Sequence, residues 1–149
     1  MKNALDMELG QLRDQLVKTA LEWERRFAVL PNITGAIAEF DAARLKETSL
    51  EIGRGRAASD TAVKKGWDFK KDGVRYQVKG NRPSGKPGSP VTLVSKVRNY
   101  EWDKHIWILY DRDYNIREAR EWSRENYRKI LSRKKRLSPK DMRLGYRLR

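Results

Sequence analysis

The chain of 149 residues has no cysteine and one histidine, and none of its apolar runs approaches the roughly 18 residues of a membrane span. Without thiols there is no disulfide, no cysteine nucleophile and no cysteine-ligated zinc. A lone imidazole, His105, cannot build the multi-histidine metal sites of His-rich nucleases. Met1 to Ala20 carries too much charge for a secretory leader, which predicts a soluble, cytoplasmic protein. Any chemistry must come from carboxylates, lysines and hydroxyls.

Acidic charge is also scarce. Thirty-four Lys and Arg face twenty Asp and Glu, a net charge of +14. The excess is segregated: residues 51–100 hold 12 basic and 4 acidic side chains, and residues 117–149 hold 13 and 4. Residues 1–50 hold 7 basic and 8 acidic. A polyanion partner follows, nucleic acid before membrane, because no basic helix with a broad apolar face accompanies the charge. A solvated basic surface kept for solubility is the plainer alternative.

The length suits one globular domain with a single core and no internal repeat. Leu5, Leu9, Leu12, Leu16, Trp23, Phe27 and Leu30 recur mostly at three- and four-residue spacing, predicting an amphipathic packing helix that ends at Pro31. Asn32 or Thr34 is placed to cap a second helix over about Gly35 to Lys46. Its small residues would let it lie close to a sheet. On a wheel of 100° per residue, Glu39 falls about 40° from Ala43 and about 60° from Ala36, so it either looks along the helix–sheet seam or is a solvated helix glutamate.

Asp72-Gly73 between β-favouring residues is the strongest short hairpin signal in the chain. A two-residue loop there sets Phe69 opposite Tyr76, Asp68 opposite Gln77, Trp67 opposite Val78 and Gly66 opposite Lys79. Trp67, Phe69, Val74, Tyr76 and Val78 then share an apolar face, while Asp68, Lys70, Arg75, Gln77 and Lys79 share a polar one. Asp68 is the only acidic residue of that polar face, which suits a cation bridging to phosphate. Alternatively Asp68 pairs with Lys79 or Lys70 on an outer face, an arrangement worth about 0–1 kcal/mol when exposed.

Trp67-Asp68, eight residues, then Gln77-Val78-Lys79 resembles the motif of the PD-(D/E)XK nuclease superfamily, the restriction-endonuclease and resolvase-like fold. The likeness extends over about residues 32–131 in element order, and it is nearer to small bacterial and phage members with a Gln-x-Lys version followed by glycine and basic residues, here Gly80-Asn81-Arg82. The resemblance implies an α/β fold with a mixed central sheet flanked by helices and an αβββαβ-type core. It implies a metal-dependent DNA endonuclease using Mg²⁺, with Mn²⁺ as a substitute. Carried over, the metal ligands are Asp68, Glu39 or Gln77, and the Val78 carbonyl; Lys79 orients the attacking water or stabilises charge on the phosphate. Trp67 stands where the motif has proline, which is not a ligand. Gln77 stands where it has an acid, and a neutral amide offers an oxygen without charge, which disfavours a second metal. A non-catalytic DNA-binding protein of the same fold is the alternative, and a structural partner in a larger basic assembly is a third.

Downstream, Gly80 to Pro90 reads as a loop in which Arg82 and Lys86 either contact phosphates or lie idle. Val91 to Val94 reads as a short strand, and "HIWILY", His105 to Tyr110, as a central strand covered on both faces, with His105 a boundary residue rather than a ligand. Asp111 to Asn115 predicts a turn, Ile116 opens a further short strand, and a helix from about Ser123 to Leu131 buries Tyr127, Ile130 and Leu131. These divide the chain into a nuclease-like domain at 1–131, with its N-terminal helix at 1–31 and core at 32–131, and a basic tail at 132–149. Ser138-Pro139-Lys140-Asp141 reads as a helix start, so the tail is either a short helix or an arm that orders on DNA. Arg133, Lys134, Lys135 and Arg136 are its candidate phosphate contacts. Monomer and homodimer are both open.

Overall fold

The computed structural model describes residues 4–50 and 66–149. Two helices, α1 (Ala4–Phe27) and α2 (Thr34–Leu45), precede the strands β1 (Phe69–Lys71), β2 (Val74–Asn81), β3 (Lys104–Tyr110) and β4 (Ile116–Ser123). Helix α3 (Arg124–Ile130), the short α4 (Pro139–Met142) and strand β5 (Tyr146–Arg147) follow. The strands form one five-stranded mixed sheet in the order β1-β2-β3-β4-β5, parallel between β2 and β3 and antiparallel elsewhere. The fold is mixed α/β. No helix among the described residues is long and apolar enough to cross a membrane.

β3 organises both faces. Ile106, Ile108 and Tyr110 join Val78, Tyr76 and the α2 residues Ile37, Ala38, Ala42 and Ala43 in one core. Trp107 and Leu109 join Trp102, Trp122, Tyr127 and Leu131 in a second core on the α3 side. A strand buried on both faces is apolar throughout, which is why "HIWILY" has no alternation.

The chain order departs from an αβββαβ core in one place. β3 runs on into β4 through residues 111–115 with no helix between them, and α3 comes after β4 instead. The β2-to-β3 crossover, residues 82–103, contains no helix, as expected where Pro83, Pro87 and Pro90 each remove an amide donor and Gly85 and Gly88 disfavour a helix. The expected strand at Val91 to Val94 is reduced to a single bridge between Val94 and Leu137.

Residues 132–149 are not a separate tail. Leu137 and Met142 are buried in the α3-side core, and β5 pairs with β4 through Arg120↔Arg147 and Glu121↔Tyr146. The Ser138 hydroxyl caps α4 while the Asp141 carboxylate accepts from the Ser138 amide, a reciprocal capping box. Ile130, expected inside, is 40% exposed. α2 is entered through Ile33 without a side-chain cap, because the Thr34 hydroxyl is engaged with the Tyr114 hydroxyl at 2.8 Å.

The largest correction concerns α1, which starts within the expected helix but ends at Phe27 and does not bury its leucine stripe. Val17 and Ala20 are its buried residues, while Leu5, Leu12, Leu16, Trp23 and Phe27 are 42–65% exposed. Polar anchors set the inward face. The Arg13 guanidinium donates to both Asp41 oxygens at 3.1 and 2.7 Å and to the Tyr114 carbonyl at 2.9 Å. About two turns beyond Val17, Glu24 holds Arg82 at 3.0 and 3.2 Å.

Asp41 also accepts the Tyr110 hydroxyl at 2.7 Å. Burial, then the Asp41 charge, pushes the Tyr110 phenol far above its ordinary range and keeps it donating. The carboxylate thus ties α1, α2 and the central strand together in a buried place. Asp41→Ala, which strands the Arg13 charge, is expected to lower unfolding free energy by about 3–5 kcal/mol in urea titrations, against about 1 kcal/mol for Tyr110→Phe.

Candidate metal and phosphate site

The hairpin forms as its loop chemistry dictates. Asp72 and Gly73 both take positive φ, 50° and 80°, the backbone of a type I′ turn, and the register is Phe69↔Tyr76, Lys70↔Arg75, Lys71↔Val74. Phe69 and Tyr76 stack at 4.8 Å on the α2 side. The Asp68 amide donates to the Tyr76 carbonyl at 2.7 Å, the last backbone bond of the pair.

Beyond it the side chain takes over. Asp68 Oδ2 accepts from the Val78 amide at 2.7 Å, so a carboxylate fills the ladder position that the next β1 carbonyl would occupy. Trp67 therefore leaves the expected apolar face and packs against the α3-side core. In an extended strand the N–H and C=O of one residue point to the same edge. The Val78 carbonyl accordingly faces the same gap as Asp68.

Glu39 reaches this gap from α2. Its side chain hydrogen-bonds that of Asp68, which resolves the two readings of Glu39 in favour of the helix–sheet seam. A hydrogen bond between two carboxyl groups requires a proton, since adjacent like charges cannot both ionise. Burial pushes Asp68 above its ordinary range, against the opposing pull of the Val78 amide, Glu39 and the Lys79 ammonium. Asp68, Glu39, the Val78 carbonyl and the field of Lys79 converge where β1 departs from β2.

Gly80 makes the convergence geometrically permissible. A Cβ at Gly80 would lie 2.7 Å from the Ala38 Cβ and 3.4 Å from the Thr34 Cγ2. α2 therefore sits on β2 at near backbone contact, and Glu39 follows Ala38 in sequence.

The shared polar face expected from the register does not form: Asp68 turns to the Val78 amide and Glu39, while Lys79 and Gln77 lie on the opposite face, their Cα atoms paired with those of Trp107 and His105. Gln77 is half-buried there and is not drawn into the Asp68–Glu39 pair. His105 is fully buried, not a boundary residue. Its ring lies 5.7 Å from Trp102 and 5.2 Å from Tyr127, and among the described residues neither ring nitrogen has a hydrogen-bond partner. Burial first, and the nearby Lys79 charge second, lower its pKa to about 3, so the imidazole is neutral.

Of the candidate phosphate contacts, Lys86, Arg133, Lys135 and Arg136 are exposed. Lys134 is exposed too, and its ammonium pairs with Asp141 at 3.1 Å. Lys96 donates to the Ser132 and Lys134 carbonyls at 2.9 and 2.7 Å, fixing the backbone of this basic turn. Arg82 is the exception. Its side chain is 4% exposed, donates to the Arg112 carbonyl and Glu24, and serves as a bolt for α1 rather than a free cation.

Sequence spacing gave no sign of Glu101. A Cβ on Gly66 would fall 2.0 Å from its Oε2, so this carboxylate lies against the backbone two residues before Asp68. Gly66 is required there by a close approach, since Glu101 and Asn99 fill the space a Cβ would take. Among the described residues no cluster of three or more His, Asp or Glu is placed to hold a metal; the convergence has two carboxylates and a carbonyl. No family model matches the chain, and no curated protein matches it.

The raised Asp68 pKa has a definite sign in folding. The native state holds a proton that the unfolded chain has released above its ordinary carboxylate pKa, so this group's contribution to stability falls as pH rises through the native titration. Asp68→Asn keeps an acceptor for the Val78 amide and a donor toward Glu39. In metal-free buffer its melting temperature relative to wild type is expected to increase from about pH 4 to about pH 8, and a pH-independent difference in thermal melts would contradict the shared proton.

Proposed function

We propose that the protein is a metal-dependent DNA endonuclease with a restriction-endonuclease-like fold. The observation that carries this reading is the contact between the Asp68 and Glu39 carboxyls, whose hydrogen bond calls for a proton, at the edge to which the Val78 carbonyl points. A divalent cation can take the place of that proton, and this oxygen-only set suits hard Mg²⁺, which keeps several waters. Bound there, Mg²⁺ or Mn²⁺ supplies charge to the scissile phosphate and a water of lowered pKa.

The remaining work falls to the chain's own groups. Asp68 is already oriented by the Val78 amide, so it needs little reorganisation. Lys79, on the other face of the sheet, would contribute its positive field at the Asp68–Glu39 pair. The basic stretches at 51–100 and 117–149 would hold the polyanion by counterion release. Lys86 and the exposed Arg133, Lys135 and Arg136 are the side chains free to do so.

A non-catalytic DNA-binding module is the second reading, favoured by one observation: Gln77 is neutral and its strand partner is His105, leaving two carboxylates where a third is usual for the motif. Supercoiled plasmid incubated with the protein and Mg²⁺, Mn²⁺ or EDTA separates the two. Nicked or linear product is expected with either metal and not with EDTA, and Asp68→Ala or Lys79→Ala should each slow cleavage at least about 10²-fold. Intact plasmid in both metals, with salt-sensitive DNA binding retained, selects the binding module.

Either reading makes the basic turn an electrostatic contact. The triple change Arg133→Ala, Lys135→Ala, Arg136→Ala is expected to weaken binding to duplexes of unrelated sequence alike and to reduce the slope of log K against log [salt] by about 2–3, measured by fluorescence anisotropy.

A further inference from the structure

The helix face that the fold leaves unburied has the pattern of an interface. On a wheel of 100° per residue, Leu5, Leu9, Leu12, Leu16, Trp23 and Phe27 fall within about 60° of one another and run the whole length of α1. Five of them are 42–65% exposed, and the Trp23 and Phe27 rings pack at a tilt of 47° with centroids 4.6 Å apart. Leu9, Leu12, Leu16, Phe40 and Leu50 line a groove of about 330 Å³ between this stripe and α2. Together these side chains expose apolar surface on the order of 500 Å² per copy, at the upper end of what soluble monomers leave open.

We infer that this face binds a second copy of the chain, with the two α1 helices antiparallel about a twofold axis through Leu16. Antiparallel pairing about that residue sets Leu9 opposite Trp23 and Leu5 opposite Phe27, so each bulky side chain meets a different one, while Leu12 comes level with Ala20, which is buried within its own protomer and leaves room above it. The alternating spacing of four and three residues is that of a knobs-into-holes seam. One patch serves both partners, which closes the assembly at two. Two copies together contribute on the order of 1,000 Å² of stripe, the lower bound of a specific interface, and the groove beside it adds to this.

Charge selects the occupant. Residues 1–50 hold 7 basic and 8 acidic side chains, while the rest of the chain carries the whole excess of the +14. Approach of two copies by the strongly basic regions brings like charge together, whereas α1 meets α1 nearly neutral. Antiparallel packing also opposes the two helix dipoles favourably, where parallel packing would stack Trp23 on Trp23. The chain's own residues 51–65 contain Ile52 and Val63 as their large aliphatics, too few to fill a stripe of this length. The dimer is independent of the nuclease reading.

Sedimentation velocity on the full chain between about 1 and 100 µM is expected to show a dimer. Leu16→Glu places two carboxylates on the axis and should give a monomer with unchanged far-UV circular dichroism, since Leu16 is already 42% exposed. Leu12→Glu should do the same. The absence of native cysteine makes cross-linking clean. Leu16→Cys should form a disulfide-linked dimer on mild oxidation, and Asp14→Cys, whose parent side chain is 73% exposed and off the stripe, should not. Leu9→Cys mixed with Trp23→Cys should cross-link to each other and not to themselves. A wild-type monomer at every concentration overturns the proposal, as does equal cross-linking at positions 14 and 16; self-cross-linking of Leu9→Cys overturns the antiparallel arrangement.

Discussion

Everything at the site depends on how closely α2 lies on β2. The contact is made by two residues with almost no side chain, Ala38 and Gly80, and the missing Cβ of Gly80 is what allows it. Protein interiors tolerate little extra volume, and an inserted methyl must be accommodated by moving a helix or a strand. Because Glu39 and Asp41 lie just beyond Ala38, any lift of α2 would separate Glu39 from Asp68 and Asp41 from Tyr110 together. The same few ångströms thus govern a polar bolt in the core and a pair of carboxyls at the sheet edge.

Asp68 has two duties that pull in different directions. As a substitute ladder acceptor it must stay fixed against the Val78 amide. As half of a carboxyl pair it must tolerate burial with a neighbour that would carry the same charge. A residue chosen for stability alone would satisfy the first duty with less penalty, for instance an asparagine, and local rules are most often broken where a site is being held ready. Lys79, approaching from the other face, offsets part of the penalty without entering the pair.

The sequence was legible wherever the determinant was local. Asp72-Gly73 dictated the turn and its register, Ser138 and Asp141 dictated a capped helix, and an unbroken apolar run dictated the central strand. Of the site, the approach of Glu39 along the helix–sheet seam could be anticipated from wheel angle, whereas the strand register wrongly put Asp68 on one face with Gln77 and Lys79. What was illegible depended on contacts distant in sequence. The inward face of α1 is set by Arg13 with Asp41 and Glu24 with Arg82, partners 28 and 58 residues apart, so hydrophobic spacing pointed to the wrong side. Arg82 looked like a loop cation because its acceptors lie in other elements. The C-terminal stretch looked like an arm because its charge conceals two apolar residues, Leu137 and Met142, that are enough to seat it.

His105 adds a liability of a different kind. An imidazole sealed among aromatic rings with no acceptor for a second proton is comfortable while uncharged. Its native pKa of about 3 lies below the ordinary 6.5, so in mildly acidic solution the opened chain gains a proton that the closed one refuses, and folding weakens as pH falls below about 6.5. Acidification should therefore weigh on the aromatic cluster of Trp102 and Tyr127 that seals His105.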